Sequence, residues 1–196
     1  MSSCFVAGKI YSIRGENGAG KSTLINLLLG LYINCYRGEI IYNGIDINKI
    51  DLVDLRNKLV GVTEQIPLLL NDTLYNNLLM GSKNFELMNF LIDYFQLNDF
   101  ISRLENGINN VINESTTNIS GGEKQKIAII RQLISNPDVM IFDEPTASLD
   151  FDSKNKFLKY ITKIKANKII IIITHDDIIN DFSDETITIK INSRGQ

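Results

Sequence analysis

Two uninterrupted apolar runs stand out along the chain: Val139-Met140-Ile141-Phe142, and the five isoleucines at 169–173 that follow Lys168. A run that is apolar on both alternating faces suits a strand covered on both sides, as in a parallel sheet. Residues 9–13, 39–42 and 59–63 read as further strands, and Asn43-Gly44 after the second is a strong turn signal ahead of a short strand at 45–47. Residues 185–191 alternate Thr186, Thr188 and Lys190 with Ile187, Ile189 and Ile191, the pattern of a closing strand. Helical spacing appears at 24–29, in a turn opened by Asp51, and at about 153–165. From Thr73 to about Leu104 the residues Leu74, Leu78, Leu79, Leu87, Phe90, Leu91, Tyr94 and Phe95 recur at helical spacing, which predicts a helical stretch without strands and puts its aromatics in a core. Ser120, with Glu123 three residues on and an apolar face at Ile127, Ile130, Leu133 and Ile134, reads as a capping box opening a helix that Asn136-Pro137 stops. The expected fold is α/β: a mainly parallel core from residues 1–66 and 137–196, with a helical subdomain at 67–136 inserted between.

The strand at 9–13 runs into Gly15-Glu16-Asn17-Gly18-Ala19-Gly20-Lys21-Ser22-Thr23, which fits the G-x-x-x-x-G-K-[ST] phosphate-binding loop. Its glycines let backbone N–H groups turn toward phosphate oxygens, Lys21 brings a point charge to the β- and γ-phosphates, and Ser22 offers a hydroxyl to Mg²⁺. The helix that follows adds its positive end to the anion site. A glycine-rich turn with incidental Lys and Ser is the bland alternative, and the strand-loop-helix order argues against it. The run 139–142 ends in Asp143-Glu144, and adjacent carboxylates at a buried strand end are costly unless they act. Asp143 is a candidate Mg²⁺ ligand through water, and Glu144 a candidate base for an attacking water. His175, the one histidine, follows the other apolar run in the same relation. A lone histidine is usually structural; here an imidazole could donate to a γ-phosphate or orient water.

Bulk composition adds boundaries. The 196 residues, 44% hydrophobic and 22% charged, suit one domain with a real core. A net charge of −3 gives no reason to expect nucleic acid as a partner. Cys4 and Cys35 have no metal spacing and are expected to stay reduced. No signal peptide is read, and no apolar run approaches the ~20 residues of a membrane span, so a membrane role would run through another segment or subunit.

The loop, Gln65, Ser120-Gly121-Gly122-Glu123, Phe142-Asp143-Glu144-Pro145, Ser148-Leu149-Asp150 and His175 stand in an order that resembles the nucleotide-binding domain of ATP-binding cassette (ABC) proteins. The resemblance covers the chain from about Gly8 to Ile191. It implies the ABC ATPase fold and ATP with Mg²⁺. It makes residues 15–23 the Walker A loop, Gln65 a residue that touches Mg²⁺ and links to a membrane partner, and Asn118-Ile119-Ser120-Gly121-Gly122-Glu123 the signature. Residues 139–144 match Walker B with Glu144 the catalytic glutamate, Ser148-Leu149-Asp150 the D-loop, and His175 the switch histidine. In the family two such domains pair head to tail, each ATP lying between the Walker A of one and the signature of the other. Gly44-Ile45-Asp46-Ile47, Leu52 to Arg56, Val62-Thr63-Glu64-Gln65 and Asp72-Thr73-Leu74-Tyr75-Asn76-Asn77-Leu78 resemble the exporter branch. That branch implies a transmembrane partner, fused or separate, and a place on the cytoplasmic face of a membrane.

Three departures from the family pattern stand out. Glu123 occupies a position usually held by Gln. The stretch between Gln65 and Ser120 is short, with only Glu114 resembling the exporter contact loop. Fourteen residues precede Gly15, too few for the strand that usually carries an adenine-stacking aromatic, and Phe5 and Tyr11 sit too close to replace it. The N-terminal strands are therefore expected to be truncated, and the isolated chain to bind ATP weakly for want of stacking worth about 1–3 kcal/mol. Two rivals to an exporter motor remain: a soluble ABC ATPase of the DNA repair or translation type, and a pseudo-enzyme that binds ATP for regulation.

Overall fold

The computed structural model describes residues 2–113 and 118–190. In chain order the strands are β1 Lys9–Arg14, β2 Ile41–Tyr42, β3 Ile45–Asp46, β4 Val60–Thr63, β5 Asp72–Thr73, β6 Val111–Ile112, β7 Val139–Asp143, β8 Ile169–Ile173 and β9 Glu185–Thr188. The helices are α1 Lys21–Leu28, α2 Leu52–Asp54, α3 Leu74–Leu79, α4 Phe85–Tyr94, α5 Asn98–Ser102, α6 Gly121–Ser135 and α7 Phe151–Ile164. Five strands form one wholly parallel sheet in the order β4-β7-β8-β1-β9. The two apolar runs are therefore adjacent and central, in register from Val139 opposite Ile169 to Asp143 opposite Ile173.

Alternation along these strands divides the core. Tyr11, Ile13, Val139, Ile141, Ile171 and Ile173 face one side, with Ile25 of α1, Ile47 and Leu55. Ile10, Met140, Phe142, Ile170 and Ile172 face the other, where Phe157, Leu158 and Ile161 of α7 cover them. Phe142 and Phe157 meet edge to face, with centroids 5.0 Å apart at 75°. The second cluster continues into α3, α4 and α6, so the helices between β4 and β7 share the core of the sheet. Tyr11 is wholly buried, packs edge-on against Phe5 and accepts the Val6 N–H on its hydroxyl at 2.8 Å. It is a core residue, and its ring is not open to a ligand.

The structure differs from the sequence reading in several places. The helical stretch from residue 73 is broken into α3, α4 and α5, because Met80 (φ 46°), Gly81 (φ 85°) and Gln96 (φ 55°) turn left-handed. Two short strands bracket the stretch: β5 and β6 pair antiparallel, Asp72 with Ile112 and Thr73 with Val111. Residues 39–47 form only a two-residue hairpin, tied by Asn43 (φ 48°) and Gly44 (φ 82°), the double positive φ of a tight turn between paired strands. The turn of helix opened by Asp51 is present as expected, the Asp51 carboxylate accepting the Val53 and Asp54 N–H groups, and a π-type turn follows it at Leu55–Leu59. Glu114 and Ile191 lie outside the described residues.

One buried amide organises the segment after β4. Asn77, wholly buried, donates to the carbonyls of Leu70, Asp72 and Thr73 at 3.0, 3.3 and 3.0 Å and accepts the Leu70 N–H at 2.8 Å. Arg131 of α6 adds donations to the Asn77 carbonyl at 2.8 Å, its side-chain oxygen at 3.1 Å and the Leu68 carbonyl at 3.1 Å. Asn77→Ala strands several buried polar groups at once. It is expected to lower stability by about 2–4 kcal/mol, read from urea unfolding, and a loss below about 1 kcal/mol would contradict the account.

Candidate active site

The phosphate-loop sequence leaves β1 at Arg14 and enters α1 at Lys21. Gly15 has no room for a side chain, since a Cβ there would lie 2.6 Å from the Ile189 carbonyl oxygen. Gly18 (φ 81°) and Gly20 (φ 96°) adopt the left-handed conformation that wraps the loop. Gly20 caps α1 with no side-chain acceptor, so the first N–H groups of the helix are available to an anion. Lys21 folds back along the loop, its Nζ donating to the carbonyls of Gly15 at 2.6 Å and Glu16 at 3.2 Å, and to His175 Nε2 at 3.3 Å.

The carboxylates arrive from the adjoining strands. The pairing of β7 with β8 sets Asp143 and Glu144 beside the end of β8, from which Thr174 and His175 continue. The Glu144 N–H donates to the Ile173 carbonyl at 2.9 Å, and Glu144 itself is left-handed at φ 46°. That conformation costs a non-glycine residue about 1 kcal/mol and aims its side chain across the strand ends. Glu144 Oε2 accepts the His175 N–H at 3.4 Å, while Oε1 lies 3.8 Å from His175 Nε2. Oε1 is buried without a hydrogen-bond partner in a side chain only 14% exposed. Burial raises the Asp143 carboxyl above the usual carboxylate range; the nearby Glu144 and Glu64 charges push it the same way, and Lys21 opposes them.

These groups converge on one cavity of about 300 Å³. Asn17, Gly18, Gly20, Lys21, Ser22 and Thr23 of the loop line one side, and Gln65, Asp143, Glu144 and His175 the other. Gly15, Glu16 and Ala19 belong to the loop without lining the cavity. Ser120, Gly121, Gly122 and Glu123 do not reach it either. They open α6 with a full capping box, the Ser120 hydroxyl accepting the Glu123 N–H at 3.2 Å and the Glu123 carboxylate accepting the Ser120 N–H at 2.8 Å. Ser148 lies against this helix start, where a Cβ on Gly122 would come within 2.9 Å of its carbonyl oxygen. Asp150 caps α7 by accepting the Ser153 N–H at 2.8 Å.

The sequence reading missed the groups that hold the His175 segment. Asp176 Oδ2 accepts from Lys154 of α7 at 2.9 Å and pairs with the Thr146 hydroxyl at 3.2 Å. Arg14 donates to the Asp176 carbonyl at 2.9 Å and to the Asp177 carboxylate at 2.7 Å. Burial works against ionisation of Asp176, yet Lys154, the Ile178 N–H and Thr146 together hold its carboxyl below the usual range. Beyond Gln65 the chain exposes Ile66, Leu68 and Leu70 at 79%, 67% and 48%, an apolar strip of the kind that marks a contact surface.

Comparison with known proteins places the chain in a family. A family model described as ABC transporter matches residues 1–147. The alpha-hemolysin translocation ATP-binding protein HlyB of Escherichia coli O157:H7 is 38% identical over 171 residues, 86% of this chain and 24% of its own length. An ATP-dependent lipid A-core flippase of Wigglesworthia glossinidia brevipalpis is 36% identical over 173 residues, 86% of this chain and 29% of its own. A bacterial Atm1-family ABC exporter with ATP bound, 33% identical, superposes with a TM-score of 0.84 over 94% of this chain and 32% of its own. The chain thus spans about a quarter to a third of the length of the relatives it matches.

Proposed function

Since the chain belongs to the ABC transporter family, we propose that it is the ATP-hydrolysing motor domain of an exporter, binding ATP with Mg²⁺ in the cavity between the Lys21 loop and the Asp143-Glu144 strand end. The observation that carries this reading is the convergence of Lys21, Ser22, Gln65, Asp143, Glu144 and His175 on that single cavity. The oxygen donors among them suit a hard cation: the Ser22 hydroxyl, the Gln65 amide oxygen and the Asp143 carboxylate. Among the described residues no group of three or more His, Cys, Asp or Glu could hold a metal by itself. A divalent ion here would be held by the Ser22, Gln65 and Asp143 side chains and would draw its other ligands from phosphate and water, as Mg²⁺ does. When bound, it offsets charge on the β- and γ-phosphate oxygens.

In this reading the loop N–H groups, Lys21 and the start of α1 hold the phosphates. Glu144 Oε1 accepts a proton from a water whose oxygen attacks the γ-phosphorus, while the bond to the β–γ bridging oxygen breaks to leave ADP and inorganic phosphate. His175 and Lys21 stabilise charge on the transferring group. Ser120, Gly121, Gly122 and Glu123 lie outside the cavity of their own chain, which supports a site completed by a second nucleotide-binding domain. The start of α6, on the helical subdomain at 67–136, would then face an ATP held by the partner's core, residues 1–66 and 137–196. The exposed Ile66, Leu68 and Leu70 beside Gln65 support docking of a transmembrane domain, and the alpha-hemolysin and lipid A relatives support a peptide or lipid among the peptide, lipid or drug-like substrates of this proposal. No helix among the described residues is long and apolar enough to cross a membrane.

An antibody to this domain, used on membrane and soluble fractions of the source cell, tests the exporter reading. A membrane band far heavier than 22.1 kDa indicates a fused exporter, and a membrane band near 22.1 kDa a subunit docked on a separate permease. A soluble band alone contradicts the exporter and favours an ABC ATPase that moves no substrate.

A further inference from the structure

Glu123 puts a carboxylate in the first turn of α6, at the helix end that the proposed function presents to a phosphate. The helix dipole favours a negative group there, but a second anion arriving at the same turn is repelled by it. Both carboxylate oxygens are engaged. Oε2 accepts the Ser120 N–H at 2.8 Å, and Oε1 accepts from the Arg103 guanidinium.

Arg103 follows α5 directly, and its side chain is held on three sides. Its Nε donates to the Asp99 carbonyl at 3.3 Å, its Cζ stands 5.6 Å from the centroid of the buried Phe100 ring, and its Nη2 meets Glu123. A guanidinium fixed in this way has less conformational freedom to lose than an ordinary surface arginine. The Arg103 and Glu123 side chains are 57% and 19% exposed, so the pair lies where a second molecule can approach. The first N–H groups of α6, on Gly121 and Gly122, have no acceptor within the helix.

We infer that Arg103 is a positioning residue for ATP at the Ser120-Gly121-Gly122-Glu123 segment. It neutralises Glu123 and holds its carboxylate back on the capping box, leaving the Gly121 and Gly122 N–H groups to a γ-phosphate. This rests on the head-to-tail reading above. It also accounts for how this chain uses Glu at a position where the resemblance leads one to expect Gln: the added charge is matched by an arginine twenty residues upstream.

The test is steady-state ATP hydrolysis by the purified protein carrying Arg103→Ala, in the native background and again with Glu123→Gln. In the native background Arg103→Ala is expected to lower kcat/KM about three- to tenfold, the range of a charge acting at a helix terminus. With Glu123→Gln the Arg103→Ala penalty is expected to shrink toward onefold, and Arg103→Lys is expected to recover part of the native loss. An equal penalty in both backgrounds, or none in the native one, overturns the inference while leaving the functional reading intact. No ATP turnover by the parent protein overturns both.

Discussion

Glu144→Gln is expected to abolish ATP turnover while leaving ATP binding in place. The substitution keeps the size and shape of the side chain and removes its basicity. Glu144 Oε1 is buried without a partner, 3.8 Å from His175 Nε2, at the end of a strand that lines the cavity. A buried oxygen without a partner carries a desolvation cost that a structural residue would ordinarily avoid. The left-handed backbone at Glu144, φ 46°, adds to that cost and fixes where the carboxylate points. General bases contribute about 10²- to 10⁴-fold, so phosphate release should fall by that order at saturating ATP and Mg²⁺. Titration with a fluorescent ATP analogue should give an affinity within a few fold of the parent. Comparable turnover by the two proteins would remove Glu144 from the reaction.

Lys21→Ala is expected to act on the opposite parameter. Lys21 stands at the first position of α1, and its ammonium is shared among the Gly15 and Glu16 carbonyls and His175 Nε2. Lys21 and His175 both line the cavity, so a phosphate chain held there would compete for the same protons. Charge-assisted hydrogen bonds of this kind contribute about 1.5–3 kcal/mol, so ATP affinity should fall roughly 10- to 100-fold. The nucleotide titration that leaves Glu144→Gln nearly unchanged is the one that should separate the two variants. Unaltered affinity in Lys21→Ala would mean that the loop holds no triphosphate.

The features legible in the sequence were those written in local pattern. The runs at 139–142 and 169–173 gave the sheet centre, because a strand covered on both faces has no polar side to show. Ser120 and Glu123 sit three residues apart, the spacing of a capping box, and the structure has that box. What escaped was of two kinds. The breaks at Met80 and Gln96 need left-handed backbone at residues that do not advertise it, and the paired β5 and β6 are two residues each, too short for any periodicity. The polar networks join residues far apart in the chain: Arg103 with Glu123, Lys154 with Asp176, and Asn77 with Arg131. Read along the sequence, each is an ordinary surface charge or helix polar residue; the packing of α3 on α6, the approach of Arg103 to the start of α6 and the placement of α7 beside the His175 segment give them partners.

Sedimentation of the Glu144→Gln protein with and without MgATP tests the central claim most directly, that ATP is bound and hydrolysed at a site two domains share. The account predicts a species of twice 22.1 kDa with MgATP and a monomer without it. ATP bound tightly by a protein that stays monomeric at every concentration tested would contradict it.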